Sequence, residues 1–358
     1  MNLKAFSSKW WPVIFPVLSG IILLLHLFIS GNFILIILAA ALLACVFSAV
    51  HHAEVISHKV GDPYGTLLLA LAVTVIEVSL IVSLMLAHGA KESALARDTI
   101  FSEIMIILNG MIGVSLLIGG LKFREQVFHL QGVSSTLIIL VGMSVLTLIL
   151  PNYTQTIPGP VYSNSQLIFV AIVTLVLYAS FIIFQNVKHR AYFLSIDEIK
   201  EVIEKPTTLA TTGSGVFLIV SLATVVLIAE TLSPSLEHAI YSVGAPKSIM
   251  GAIIACIVLL PEAFSAIRAA NTNNLQKSLN FSLGSALASI GLTIPAVAMV
   301  SIITGSPLSL GIDIKSTVLY ALTILVITLS LSTGKTTGVE GIVLLVILAV
   351  YFFTIIVP

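Results

Sequence analysis

Two glutamates, Glu77 and Glu262, each stand as the single acid of a long apolar stretch, and the chemistry open to this chain starts from them. A charge at the centre of a membrane-spanning helix disfavours insertion by roughly 2.5 to 3.5 kcal/mol, so acids kept there mark ion or proton pathways. Neither glutamate has a basic partner within its stretch; Arg268 lies one and a half turns beyond Glu262. Two carboxylates sharing a dry site cannot both stay ionised without a counter-cation, so they must take protons or metal. Hard cations such as Ca²⁺ favour carboxylate, carbonyl, hydroxyl and water oxygens.

The sequence supplies such oxygens. Thr74 stands one turn before Glu77, and Ser282, Ser285, Ser289 and Thr293 form a hydroxyl stripe, with Gly284 and Gly291 allowing close helix approach. Pro261, directly before Glu262, is expected to break its helix and free carbonyls to line a cavity. Glu103, with Asn109 and Gly110, adds a third acid and an amide; near the outer end of its span it is either a proton carrier or an acid that snorkels to the surface. Thr74, Ser285 and Ser289 are candidate metal ligands beside Glu77 and Glu262, which also carry protons. The bland reading is that a hydroxyl in a spanning helix bonds its own i−4 carbonyl.

Glu54 and Glu237 precede helix breaks near the membrane faces, as vestibule acids or as solvated ones. His51, His52 and His58 invite a pH-sensor or metal-cluster reading, although interfacial histidines are commonly neither. Cys45 and Cys256 lie in apolar runs without metal or redox spacing and read as packing.

What must position these groups is a membrane protein. Of 358 residues 58% are hydrophobic and 9% charged, with a mean hydropathy of +1.14. A soluble domain carries about a quarter charged residues. Lys and Arg number 16 and balance 16 Asp and Glu, scattered between apolar runs, which gives nucleic acid no basic face. A spanning helix needs about 20 apolar residues. By that ruler there are eleven, near residues 12–30, 33–50, 64–86, 99–120, 134–150, 166–184, 213–229, 248–267, 279–303, 316–331 and 339–356. The first, after Lys4 and Lys9, has no small-residue cleavage site and reads as a helix rather than a signal peptide.

With the N-terminus cytoplasmic, twelve Lys and Arg fall inside, while Lys91, Arg97, Lys247 and Lys315 fall outside. The positive-inside rule then puts the C-terminus outside. Glu54, Val60, Gly61 and Pro63 recur at the same spacing as Glu237, Val243, Gly244 and Pro246, each set leading into the helix of one buried acid. The expected architecture is all-α: an N-terminal helix over residues 1–31, a five-helix repeat over 32–187, a cytoplasmic linker over 188–212 and a second repeat over 213–358. Repeats of five spans enter the membrane from opposite faces, the inverted plan of many secondary transporters. Equal depths from opposite faces would bring Glu77 and Glu262 together near mid-membrane. Phe193, Ile196, Ile199 and Ile203 suggest a short interfacial helix in the linker, otherwise a solvated tether.

Three stretches carry a family resemblance: HHAEVISHKVGDPYGTLLLALAVTVIEVSLI, RDTIFSEIMIILNGMIGVSLLIGG and LPEAFSAIRAANTNNLQKSLNFSLGSALASIGLTIPAV. Here the chain resembles the calcium/proton antiporter family of the cation/calcium exchanger superfamily, most closely its ChaA-type bacterial branch, over nearly its whole length. The resemblance implies eleven helices, inverted five-helix repeats and a central cation site on the two repeat acids, Glu77 and Glu262. Many members carry Gly-Asn-x-x-Glu in both repeats, where this chain has Val73 and Thr74, then Val258 and Leu259. ChaA-type relatives share that departure and are credited with sodium or potassium exchange as well.

The expectation is therefore an antiporter of a bacterial cell membrane, exporting Ca²⁺ against H⁺ without a cofactor and in no contact with nucleic acid. Na⁺ or K⁺ exchange at the same acids is the alternative. An enzyme is not expected: an intramembrane hydrolase would need a nucleophile and base, and the spans carry no HExxH and no Gly-x-Ser-x-Gly.

Overall fold

The computed structural model describes residues 3–29, 31–61, 64–88, 94–193, 206–242, 244–246 and 248–357. Most of the linker, with the helix expected around Ile196 to Ile203, lies outside the described residues.

Eleven helices run through them: α1 (Leu3–His26), α2 (Asn32–Val60), α3 (Tyr64–His88), α4 (Leu95–Phe123), α5 (Leu130–Tyr153), α6 (Asn164–Lys188), α7 (Thr208–Ser242), α8 (Ser248–Asn271), α9 (Leu275–Thr304), α10 (Ile314–Leu331) and α11 (Gly338–Ile356). Among the described residues, α2 from Phe33, α4 to α11, and the shorter apolar runs Trp10–His26 and Leu68–Ser83 account for the eleven predicted spans. They are apolar all round, as lipid requires. On α6, Leu167, Val170, Thr174, Tyr178 and Phe181 are buried, while Ile168, Phe169, Ile172, Leu175 and Val176 face outward.

Local signals fix several ends. Ser163 and Gln166 form a capping box on α6, as do Thr337 and Glu340 on α11, while Asn274 and Asp313 cap α9 and α10. The α2 and α7 helices run well past the expected ends near Val50 and Ala229. Polar residues that halt an apolar count, such as His52, remain helical because neighbouring helices satisfy them.

The chain forms two compact units, each drawing on both halves of the sequence. The first, Met1–Ala87 with Val202–Gly244, holds α1, α2, α3 and α7. Pro16 has no N–H to offer the Pro12 carbonyl one turn earlier on α1. Instead Ser48 Oγ and His52 Nε2 of α2 donate to that carbonyl, His52 at 3.0 Å. On its other side the ring hydrogen-bonds at Nδ1 with the Ser214 hydroxyl of α7, 3.2 Å away, and stacks on Phe217.

The second unit, His88–Glu201 with Ala245–Pro358, holds the other seven helices. Its connections repeat. The strand β1 (Gln126–Val127), between α4 and α5, pairs antiparallel with β2 (Lys335–Thr336), between α10 and α11. At the other end Val161, between α5 and α6, bridges Ser309, between α9 and α10. Exchanging each helix of the first repeat with its partner five places on turns one bridge into the other. The inverted repeat, signalled in the sequence by four identities, is thus built into the loops.

Candidate cation site

Helix α8 carries Glu262 and lies parallel to α4, fixed at both ends. A Cβ on Gly251 would come within 2.7 Å of the Asp98 and Thr99 backbone, so only glycine permits this approach. Twenty residues on, Lys122 of α4 donates to the Asn271 carbonyl at 2.8 Å and to its side chain, and Gln126 donates to the Ala270 carbonyl. These contacts set the register. Glu262 is level with residues 109–113 of α4, and Glu103 with residues 252–256 of α8.

The expected break at Pro261 does not occur: α8 is continuous from Ser248 to Asn271 with Pro261 inside it. Proline there removes one backbone donor, to the Ile257 carbonyl, and packing against α4 holds the helix through the gap. Glu262 is partly buried, and the Ser285 hydroxyl of α9 donates to its Oε2 at 2.6 Å, a charge-assisted distance. Ser282, Ser289 and Thr293 are buried on the same helix, so the predicted hydroxyl stripe is a real internal face. It passes through a π-helical segment, Ser289–Thr293, and α4 carries another, Ile106–Met111, around Asn109 and Gly110. Such bulges widen a helix and cluster at functional sites. Reading by apolar periodicity missed both; the glycines at 110 and 291 were the available signal.

Glu103 is wholly buried, eight residues into α4, so the snorkelling alternative is excluded. The span begins at Leu95, a turn earlier than the apolar count put it. Asn109 Nδ2 bonds Thr323 Oγ1 of α10 at 3.1 Å and the Met105 carbonyl.

In the other unit Glu77 is 1% exposed, and Thr74 is buried with its hydroxyl donating to the Ala70 carbonyl at 2.9 Å. That spends the Thr74 proton and leaves its oxygen an acceptor. Glu54 and Glu237 lie inside α2 and α7, a turn or two before their ends, and both are partly buried. His52 is 4% exposed and used as a strut between three helices, with its ring centroid 5.8 Å from that of His51. Among the described residues no three His, Cys, Asp or Glu side chains gather into a metal-binding group. A cation would have to be held by carboxylates helped by hydroxyl and carbonyl oxygens, a set that suits hard ions.

Comparison with known proteins agrees with this architecture. The model of the family described as sodium/calcium exchanger protein matches residues 30–187 and 213–357. The chain is 40% identical to y4hA of Sinorhizobium fredii (strain NBRC 101917 / NGR234), whose name goes no further than ionic transporter, across 100% of this chain and 99% of that one. It is 33% identical to the sodium-potassium/proton antiporter ChaA of Escherichia coli (strain K12), covering 97% of this chain and 96% of the relative. Its fold is that of native YfkE, with a TM-score of 0.75 at 19% identity over 97% of this chain and 99% of that one. A multi-pass membrane protein matched along both repeats in this way belongs to the sodium/calcium exchanger protein family.

Proposed function

We propose that the protein is a secondary active antiporter that exports Ca²⁺ in exchange for H⁺ by alternating access, with Glu77 and Glu262 as both cation ligands and proton carriers. The observation that carries the reading is the Glu262 carboxylate, held at mid-helix by the Ser285 hydroxyl at 2.6 Å within an otherwise apolar span. The rest is electrostatics. An empty pair of ionised carboxylates is too costly to enclose in a low-dielectric interior, whereas one neutralised by a divalent cation or by protons can be enclosed. Exchange is therefore obligatory, and rocking of one set of helices against another alternates access. Thr74, Ser285 and Ser289 complete the ligand set. Glu54 and Glu237 serve as vestibule acids.

Charge supports the orientation. Among the described residues, the end of the second unit that holds β1 and β2 carries Lys122, Arg124, Lys188, Arg190, Arg268, Lys277 and Lys335 against Glu125 and Glu340. The opposite end carries Arg97 and Lys315 against Asp98 and Asp313. By the positive-inside rule the basic end faces the cytoplasm of a bacterial cell, which puts the N-terminus inside.

The likeness to the sodium-potassium/proton antiporter favours a second reading, Na⁺ or K⁺ against H⁺ at the same carboxylates. Collapse of a pH gradient in everted vesicles on adding Ca²⁺, Na⁺ or K⁺ separates the two. The substitutions Glu77→Gln and Glu262→Gln are each expected to abolish proton-coupled uptake of the active cation, ⁴⁵Ca²⁺ on the first reading. Full activity in either variant overturns the assignment.

A further inference from the structure

Between Glu262 and the basic rim of the second unit, buried oxygens follow one another along the seam of α4, α8 and α9. Ser278, Ser282 and Ser285 are i, i+4 and i+7 on α9 and so share one face of it. The two flanking serines are engaged: Ser285 donates to Glu262 of α8 at 2.6 Å, and Ser278 donates to Ser115 of α4 at 2.9 Å. Ser282 lies between them, about 4–6 Å from each along the helix. It is 0% exposed, yet its hydroxyl has no hydrogen-bond partner among the described residues. With one neighbour on the face turned to α8 and the other to α4, this hydroxyl faces the seam where those helices meet α9.

A second such oxygen lies nearer the rim. Gln126, 2% exposed, spends its amide nitrogen on the Ala270 carbonyl at 3.0 Å and on Asn273 Oδ1 at 3.1 Å, which fixes the orientation of the amide. Its Oε1 is buried without a hydrogen-bond partner among the described residues and rests against Gly119, in the space that a Cβ there would fill. Gly119 is one turn rimward of Ser115 on α4. From the rim inward the order is therefore Gln126 Oε1, Ser115 with Ser278, Ser282, and then Glu262. A buried polar atom left unbonded is destabilising and calls for a use. These two fall in line with a carboxylate.

The chemistry of the line suits a cation rather than a proton. An amide oxygen accepts but has no proton to hand on, so a relay of hydroxyls would stop at Gln126. Every oxygen before Glu262 is neutral, and hydroxyl and carbonyl oxygens are ligands of hard cations. Neutral oxygens replace waters of hydration without holding the ion as a carboxylate would, which is what passage requires. We propose that Ser282 and Gln126 Oε1 mark the route by which a partly dehydrated cation reaches Glu262 from the basic rim, with Ser282 giving it an inner-shell oxygen on the way. The proposal rests on the exchanger reading and adds to it a ligand that acts from one face only. A cation arriving from the opposite face reaches Glu262 without passing Ser282.

The test is isotopic self-exchange of the active cation with the opposite face saturated, in everted vesicles, which present the cytoplasmic face, and in right-side-out vesicles. Ser282→Ala is expected to raise KM about three- to tenfold in everted vesicles, the scale of one polar contact. In right-side-out vesicles KM should not change, and thermal stability in detergent should hold or rise because an unbonded polar atom is gone. KM unmoved on both faces means that the hydroxyl holds water only and overturns the proposal. A rise on the opposite face, alone or equal to that on the cytoplasmic one, overturns it as well. Where Ser282→Ala does not reach the membrane, Ser282→Cys decides by the same readout, since a thiol fills the same place and is a poor ligand for hard ions. Glu262→Gln in the same assay reports on the exchanger reading separately: it should abolish self-exchange from both faces, and full exchange in it defeats that reading whatever Ser282→Ala shows.

Discussion

Two buried polar clusters, one in each compact unit, use the same ingredients for different ends. In the first unit His52, Ser48 and Ser214 close around a carbonyl that Pro16 has stripped of its helical donor. Donors and acceptors there match, and no chemistry is left over. In the second unit Ser285 holds one oxygen of Glu262, and Ser282, three residues earlier on α9, keeps a hydroxyl without a partner among the described residues. A saturated cluster ties helices together; an unsaturated one beside an acid is positioned to act. Burial alone does not separate the two, and the count of bonds does.

Substitutions can break that distinction or sharpen it. Ser285→Ala removes a hydrogen bond to a carboxylate, a class worth about 1.5–3 kcal/mol. Cation KM is expected to move at least tenfold with no matching loss of thermal stability in detergent. If instead stability falls and KM holds, Ser285 belongs with the structural cluster. His52→Ala should do the reverse, lowering stability by about 2 kcal/mol through the lost contact and the space left behind, with KM unchanged. The smallest effect is the most specific. Pro16→Ala returns an N–H to the Pro12 carbonyl, so the penalty of His52→Ala should shrink by about 0.5–1 kcal/mol in that background, measured as a double-mutant cycle. Strict additivity would mean that the Pro12 carbonyl is not what His52 serves.

Much of this was legible in residue order because lipid leaves a chain few choices. A run of apolar residues around a lone Glu77 or Glu262 has to be a helix, since every backbone group must be satisfied within the segment. Eleven spans and the hydroxyl face of α9 follow from that constraint. Errors fell where local rules meet packing. Pro261 is a helix breaker in water, yet here it sits inside a continuous α8 clasped at Gly251 and Asn271. The polar residues from His51 to Glu54 resemble a helix end, yet α2 continues to Val60 because His52 finds its partners on α1 and α7.

Sequence by itself determined the class of molecule, the number of spans, their pairing into inverted repeats and which acids lie in apolar surroundings, because burial in lipid is dictated by composition over about 20 residues. Tertiary structure alone decided which hydroxyl holds Glu262, that Glu103 is enclosed, and that His52 bonds to α1 and α7. Those outcomes depend on the register between helices remote in the chain, such as Ser285 meeting Glu262 and Ser102 meeting Tyr351. Register is set by close approaches like that at Gly251, which leave no periodic trace in the sequence.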